Sequence, residues 1–260
     1  YNSALGYQAL YSNTTGTPND AFGYQALYSN TTGVNNVAVG YQSLNANTTG
    51  VNNVAVGNAA LQQNIGGYSN TAVGSAALQL GTTSSSNCAF GIQALNKNTA
   101  NSNSAFGTQA LQANTTGTPN EAFGYQALYN NTTGFYNVAV GYQALTANTV
   151  GDRNTALGNS ALSHNTTGQY NTAVGRASLE SNVVGSSNTA VGTASLNNNI
   201  ANNNTAVGFQ ALSQNSTGTP NCAFGFQALT ANTTGAGNTA VGTQALLGNT
   251  TGVQNIAVGD

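Results

Sequence analysis

One glycine sets the frame of this chain. It follows an apolar residue at Gly6, Gly23, Gly40 and on to Gly259, sixteen times in all; thirteen of the fifteen spacings are 17 residues and two are 16. Asparagine stands four residues before every one of these glycines and alanine two before. Leucine follows four after, from Leu10 to Leu246, in all fifteen complete units. Asparagine follows seven after in fourteen of them, Gly81 being the exception. The unit reads Asn-x-Ala-(Val/Phe/Leu)-Gly-x-x-(Ala/Ser)-Leu-x-x-Asn-Thr-Thr-Gly-x-x, a tandem array.

A longer period is superimposed. Gly16-Thr-Pro-Asn-Asp-Ala-Phe-Gly23 returns at Gly117–Gly124 and Gly218–Gly225, each copy 101 residues on, so six units make a cassette. No linker or shift of composition interrupts residues 1–260, which read as a single tandem-repeat domain. Both ends stand in repeat phase without a capping unit, the expectation for a segment of a longer array or a filament subunit.

A unit this short buries too few side chains to offset the cost of ordering its backbone, about 1–2 kcal/mol per residue. Stacking unit on unit, with backbone pairing along an axis, supplies what one unit lacks. The sequence therefore predicts a mainly β fold, a parallel β-solenoid of about fifteen stacked coils roughly 4.8 Å apart. Asn-x-Ala-(Val/Phe/Leu) alternates with period two and favours Thr and Val between Asn and Ala, which predicts one short strand per coil. After the glycine the fixed positions are three, four and seven on. That spacing suits a helical turn or a bent second strand. Asn-Thr-Thr-Gly supplies the loop. Because strand side chains alternate, small residues share one face and Val, Phe or Leu the other. A coil interior can take only one: the small-residue ladder either admits a neighbouring chain, the leading expectation, which makes the protein a homo-oligomer or filament, or faces a narrow corner of its own coil.

Composition removes several functions. Only three basic and five acidic residues are present, 3% of the chain, against roughly 25% in an ordinary domain. Lys97, Arg153 and Arg176 cannot track a phosphate backbone, so nucleic acid is excluded as a partner. No apolar run is long enough for a membrane span. One histidine, His164, and scattered carboxylates assemble no catalytic triad or metal site. Asp20 and Glu121 lie six coils apart, too far for paired-carboxylate chemistry. The chain reads as no enzyme and as needing no cofactor. Cys88 and Cys222 are eight coils apart, about 38 Å at the strand spacing, where a disulfide requires Cα atoms within about 7 Å.

At Asn70-Thr71-Ala72-Val73-Gly74, Asn188-Thr189-Ala190-Val191-Gly192 and their kin, the sequence resembles the head repeats of trimeric autotransporter adhesins. It is also similar to repeat regions of phage and viral tail-fibre proteins. The resemblance touches every unit, through a five-residue motif. It implies a left-handed parallel β-roll, three chains about one axis, and exposure on a cell or virion surface for attachment. The 17-residue coil, with its regular Asn-Thr-Thr-Gly loop, is longer than the usual unit of that family.

Two sets of residues are candidates for contact or modification. Asn13, Asn30, Asn47, Asn114, Asn131, Asn165, Asn215, Asn232 and Asn249 each begin an Asn-x-Ser/Thr acceptor for N-linked glycans. Asn148 and Asn182 keep the asparagine without the acceptor sequence, so its role is structural first. Tyr7, Tyr24, Tyr41, Tyr125 and Tyr142 share one repeat phase and suit contact with a glycan or another subunit. The leading expectation is a non-enzymatic extracellular fibre, stalk or surface filament. The alternative is an adhesin or tail-fibre module binding a glycan or host surface. Thr14/Thr15, Thr31/Thr32 and Thr48/Thr49 would also form ranks of the kind that bind ice, although they fall on turns.

Overall fold

Each unit contributes one strand of three or four residues. The computed structural model describes residues 1–259, which divide into two compact units, one over 1–133 and one from residue 134 onward. The first holds β1 (Asn2–Leu5), β2 (Asn19–Phe22), β3 (Asn36–Val39), β4 (Val54–Val56), β5 (Thr71–Val73), β6 (Cys88–Phe90), β7 (Ser104–Phe106) and β8 (Asn120–Phe123). The second holds β9 (Asn137–Val140), β10 (Thr155–Leu157), β11 (Thr172–Val174), β12 (Thr189–Val191), β13 (Thr205–Val207), β14 (Cys222–Phe224), β15 (Thr239–Val241) and β16 (Ile256–Val258). Within each unit every strand pairs in parallel with the next in sequence, alanine on alanine: Ala21 on Ala38, Ala156 on Ala173. This is the expected parallel β-solenoid, with no helix among the described residues.

The 16-residue coils keep this register. Ala89 still faces Ala105, and Ala190 faces Ala206. The missing residue comes out of the loop, where five positions separate Asn98 from Asn103 instead of the six between Asn47 and Asn53. A deletion in the strand would have turned every following side chain over.

The expected helical turn after the glycine is absent. Gln42 and Leu44 have φ of 52° and 49°, and their equivalents repeat this coil after coil. Successive tight turns result, in which Ser43 N–H reaches Gly40 O at 3.5 Å and Asn47 N–H reaches Leu44 O at 3.1 Å. The intervening amides leave the coil: Leu44 donates to Ala60 O and Ala46 to Gln62 O, one coil on. An α-helix would have kept those N–H groups to itself and left the neighbouring coil unpaired. Leucine and glutamine thus hold a left-handed conformation that ordinarily favours glycine or asparagine, the local cost being offset by bonds between coils.

The two strand faces sort oppositely to expectation. Ala21, Ala38, Ala55 and their kin are fully buried, as are Leu27 to Leu229 four residues beyond the glycines. The interior is therefore filled by one leucine, two small residues and two asparagines per coil. Val, Phe or Leu beside the buried alanine points outward: Phe22, Phe90 and Phe224 are 39, 37 and 40% exposed. The small-residue ladder faces the coil's own narrow interior and offers nothing to a second chain.

Coils approach too closely for side chains at the framing glycine. Gly40 has φ of 130°, and a Cβ there would lie 2.6 Å from Gly57 O of the next coil. We expect Gly40→Ala to lower stability by roughly 2–5 kcal/mol, from strain and overlap together. Gly248→Ala, where a Cβ meets nothing within 4 Å, should be near neutral; urea midpoints of the two variants test the contrast.

Candidate functional site: two asparagine ladders and the outer faces

Two columns of carboxamides run inside each unit. In the column at the strand start, Asn53 donates from its backbone N–H and its Nδ2 to Asn36 Oδ1, at 3.0 and 3.1 Å, and from Nδ2 to Gly67 O at 2.8 Å. Asn171 repeats this on Asn154 Oδ1 and Gly185 O. In the loop column, Asn47 Nδ2 donates to Asn30 Oδ1 at 2.8 Å and to Gly50 O at 3.2 Å, and Asn165 Nδ2 to Asn148 Oδ1 and Gly168 O at 3.0 Å each. An isolated buried amide is costly; in the ladder each coil satisfies the one before it.

This placement puts the candidate glycosylation asparagines inside the coil. Asn30, Asn47, Asn114, Asn131, Asn165, Asn215 and Asn232 are fully buried. The Nδ2 that a glycan would occupy already donates, as at Asn30 to Asn13 Oδ1 and at Asn232 to Asn215 Oδ1. Asn13 and Asn249 are half-buried, and both donate to the glycine carbonyl of their own loop. A glycan on these nitrogens and the packing of the coil exclude one another. The first loop threonine is also committed, Thr31 Oγ1 donating to Thr48 O at 3.1 Å.

The ladder fails beside the irregular coils. Asn64 Oδ1 has no partner because the next coil carries Gly81 in place of asparagine. Asn182 Oδ1 is orphaned before the 16-residue coil, whose Asn199 donates to Ala201 O instead. Ser84 Oγ is a third buried oxygen without a partner. We expect Asn165→Ala, which strands amides on both sides, to cost about 2–4 kcal/mol. Asn182→Ala removes an unpaired oxygen as well as its bonds and should cost at least about 1 kcal/mol less; paired urea titrations decide.

The tyrosines of the shared repeat phase are surface residues. Tyr7, Tyr24 and Tyr41 are exposed and stack in file, with centroids 5.3 and 5.1 Å apart and planes within 15° and 7°. Tyr125 in the first unit and Tyr142 in the second occupy the same repeat phase and are also exposed. On the outer strand face, Phe90, Phe106 and Phe123 stack at 5.0 and 4.8 Å with planes 7° and 4° apart. Neighbouring strands in most sheets turn by about 20–25°. Between these stacked rings the planes turn by 15° or less.

The remaining reactive side chains sit singly. Cys88 and Cys222 are free thiols, half-buried in the outer strand column, and desolvation pushes both thiol pKa values up, away from the reactive thiolate. Exposed His164 shares Nδ1 with Glu180 O at 3.0 Å. Among the described residues, no three His, Cys, Asp or Glu side chains come together, and no helix is long and apolar enough to cross a membrane.

One cluster escaped the sequence reading. In the second unit the Arg153 guanidinium carbon lies 4.9 Å from the Phe135 ring centre, 5.6 Å from Tyr136 and 5.3 Å from Tyr170. Its Nη1 donates to Tyr170 Oη at 3.2 Å. The signal was the shared repeat phase of residues 136, 153 and 170, 17 apart. In comparisons with known proteins, no family model, curated protein or solved structure matches this chain.

Proposed function

We propose that this chain is a non-enzymatic structural element, the shaft of an extracellular fibre, stalk or surface filament, which associates with further copies of itself. The observation that carries the reading is the outer strand face. Ranks of Phe, Val and Leu stand there partly exposed in both units, with almost no charge to keep copies apart. The asparagine ladders support a load-bearing role, since each coil is bonded to the next through side chains as well as backbone. The resemblance of the Asn-Thr-Ala-Val-Gly strand to adhesin head and tail-fibre repeats supports a place on a cell or virion surface.

The test is the native mass in solution against the 26.1 kDa chain. We expect a multiple of that mass by light scattering, reduced by Leu157→Lys with Val241→Lys, which charge the outer face without entering the interior. A wild-type monomer at every concentration would overturn self-association.

A second reading, a module that binds a glycan or host surface, is favoured by the exposed file of Tyr7, Tyr24 and Tyr41. Replacing Tyr24, Tyr125 and Tyr142 by serine separates the two. Lost adhesion with unchanged native mass favours the module, and a lower native mass favours the fibre.

A further inference from the structure

We infer that the loop surface around Arg153 is a binding site for a carboxylate-bearing glycan, a uronic-acid type of sugar chain, held by the Arg153 fork between Tyr136 and Tyr170. The inference is independent of the self-association reading, since the site lies on the loops and not on the strand face.

The fold does not need these side chains. Tyr136, Arg153 and Tyr170 occupy a loop position with φ of 54°, 56° and 57°. Other coils hold Ser69, Ser86, Ser187, Asn203 and Gln254 there at φ of 55° to 60°. Small polar residues therefore satisfy the backbone equally well. Yet three consecutive coils concentrate Phe135, Tyr136, Arg153 and Tyr170 in one place, and with them one of only three cationic side chains in the protein.

Their arrangement leaves one chemistry open. Rings on both neighbouring coils and Phe135 contact the guanidinium, and only one of its five N–H donors is bonded, to Tyr170 Oη. No carboxylate neutralises it among the described residues. Asp152, its neighbour in sequence, is buried and accepts the Phe135 N–H at 3.0 Å. The unspent edge of a guanidinium matches a carboxylate in two parallel hydrogen bonds. Contact with the rings orders the long side chain beforehand, which lowers the entropy lost on binding.

The surroundings select the rest of the ligand. Tyr136 and Tyr170 are 56 and 54% exposed, presenting apolar ring surface and hydroxyls beside the fork, as suits the C–H face and hydroxyls of a sugar. The two rings are two coils apart, roughly 10 Å at the strand spacing, so the site accommodates a chain of sugars better than a free acid. A single cation in a protein of net charge −2 cannot hold a polyphosphate or nucleic acid.

The test is isothermal titration of the full chain with a tetramer of galacturonic acid, its methyl ester and inorganic phosphate. Arg153→Gln and Tyr170→Ser place at this position residues that other coils already carry there, and their urea midpoints should match wild type. We expect saturable binding of the acid tetramer, at least tenfold weaker for the methyl ester and for Arg153→Gln, and several-fold weaker for Tyr170→Ser. Failure of the acid tetramer to bind, equal binding of its ester or by Arg153→Gln, or phosphate binding as tightly as the tetramer would each overturn the site.

Discussion

A carboxamide buried in the coil is satisfied by another carboxamide one coil further along, and the rest of the structure depends on that bond. Each interior asparagine presents a donor to one side and an acceptor to the other, so Asn36, Asn53 and Asn70 form a chain in which every link needs the next. Such a ladder tolerates neither rotation nor slippage between coils, because either would strand a buried amide at a cost of about 1–3 kcal/mol. On the outside, rings one coil apart stack with their planes within 15° of one another, as a fixed register allows. The framing glycines permit it, since their backbones approach too closely for a Cβ.

Filling the interior with asparagine, alanine and one leucine has a second consequence. The coil is too narrow to take the large apolar residue of its own strand, so that residue goes outside. A solenoid of this kind stabilises itself largely through hydrogen bonds along its axis. It leaves on its surface the apolar side chains that another protein would use as core. Those exposed apolar ranks are the basis for reading the chain as a self-associating shaft. The loops are where single coils depart from the repeat: Gly81, the two shortened coils, and the group around Arg153.

Much of this was legible in the repeat. The phase of the glycines gave the coil length, and the alternation of Asn, Ala and Gly located the strand. The persistence of asparagine at positions lacking the Thr-Thr sequence, as at Asn148 and Asn182, pointed to a structural duty before any modification. The turn after the glycine was not legible. Gln-Ala-Leu has good helix propensity, and nothing local reveals that Gln42 and Leu44 turn left-handed to send amide hydrogens to the next coil. The Arg153 cluster also escaped, because its members are 17 residues apart and are neighbours only after the coils stack.

The sequence by itself determined that the chain is a stack of equivalent coils, each with one parallel strand. Periodicity alone carries that information, since like positions can meet like only if the units stack in register. Tertiary structure alone decided which face of the strand lies inside. Alanine and valine alternate equally well with either face inward. The choice was made by the width of the interior left once two amide ladders and a leucine had been accommodated. The same choice withdrew the strand-start asparagines from solvent and put the strand phenylalanines on the surface.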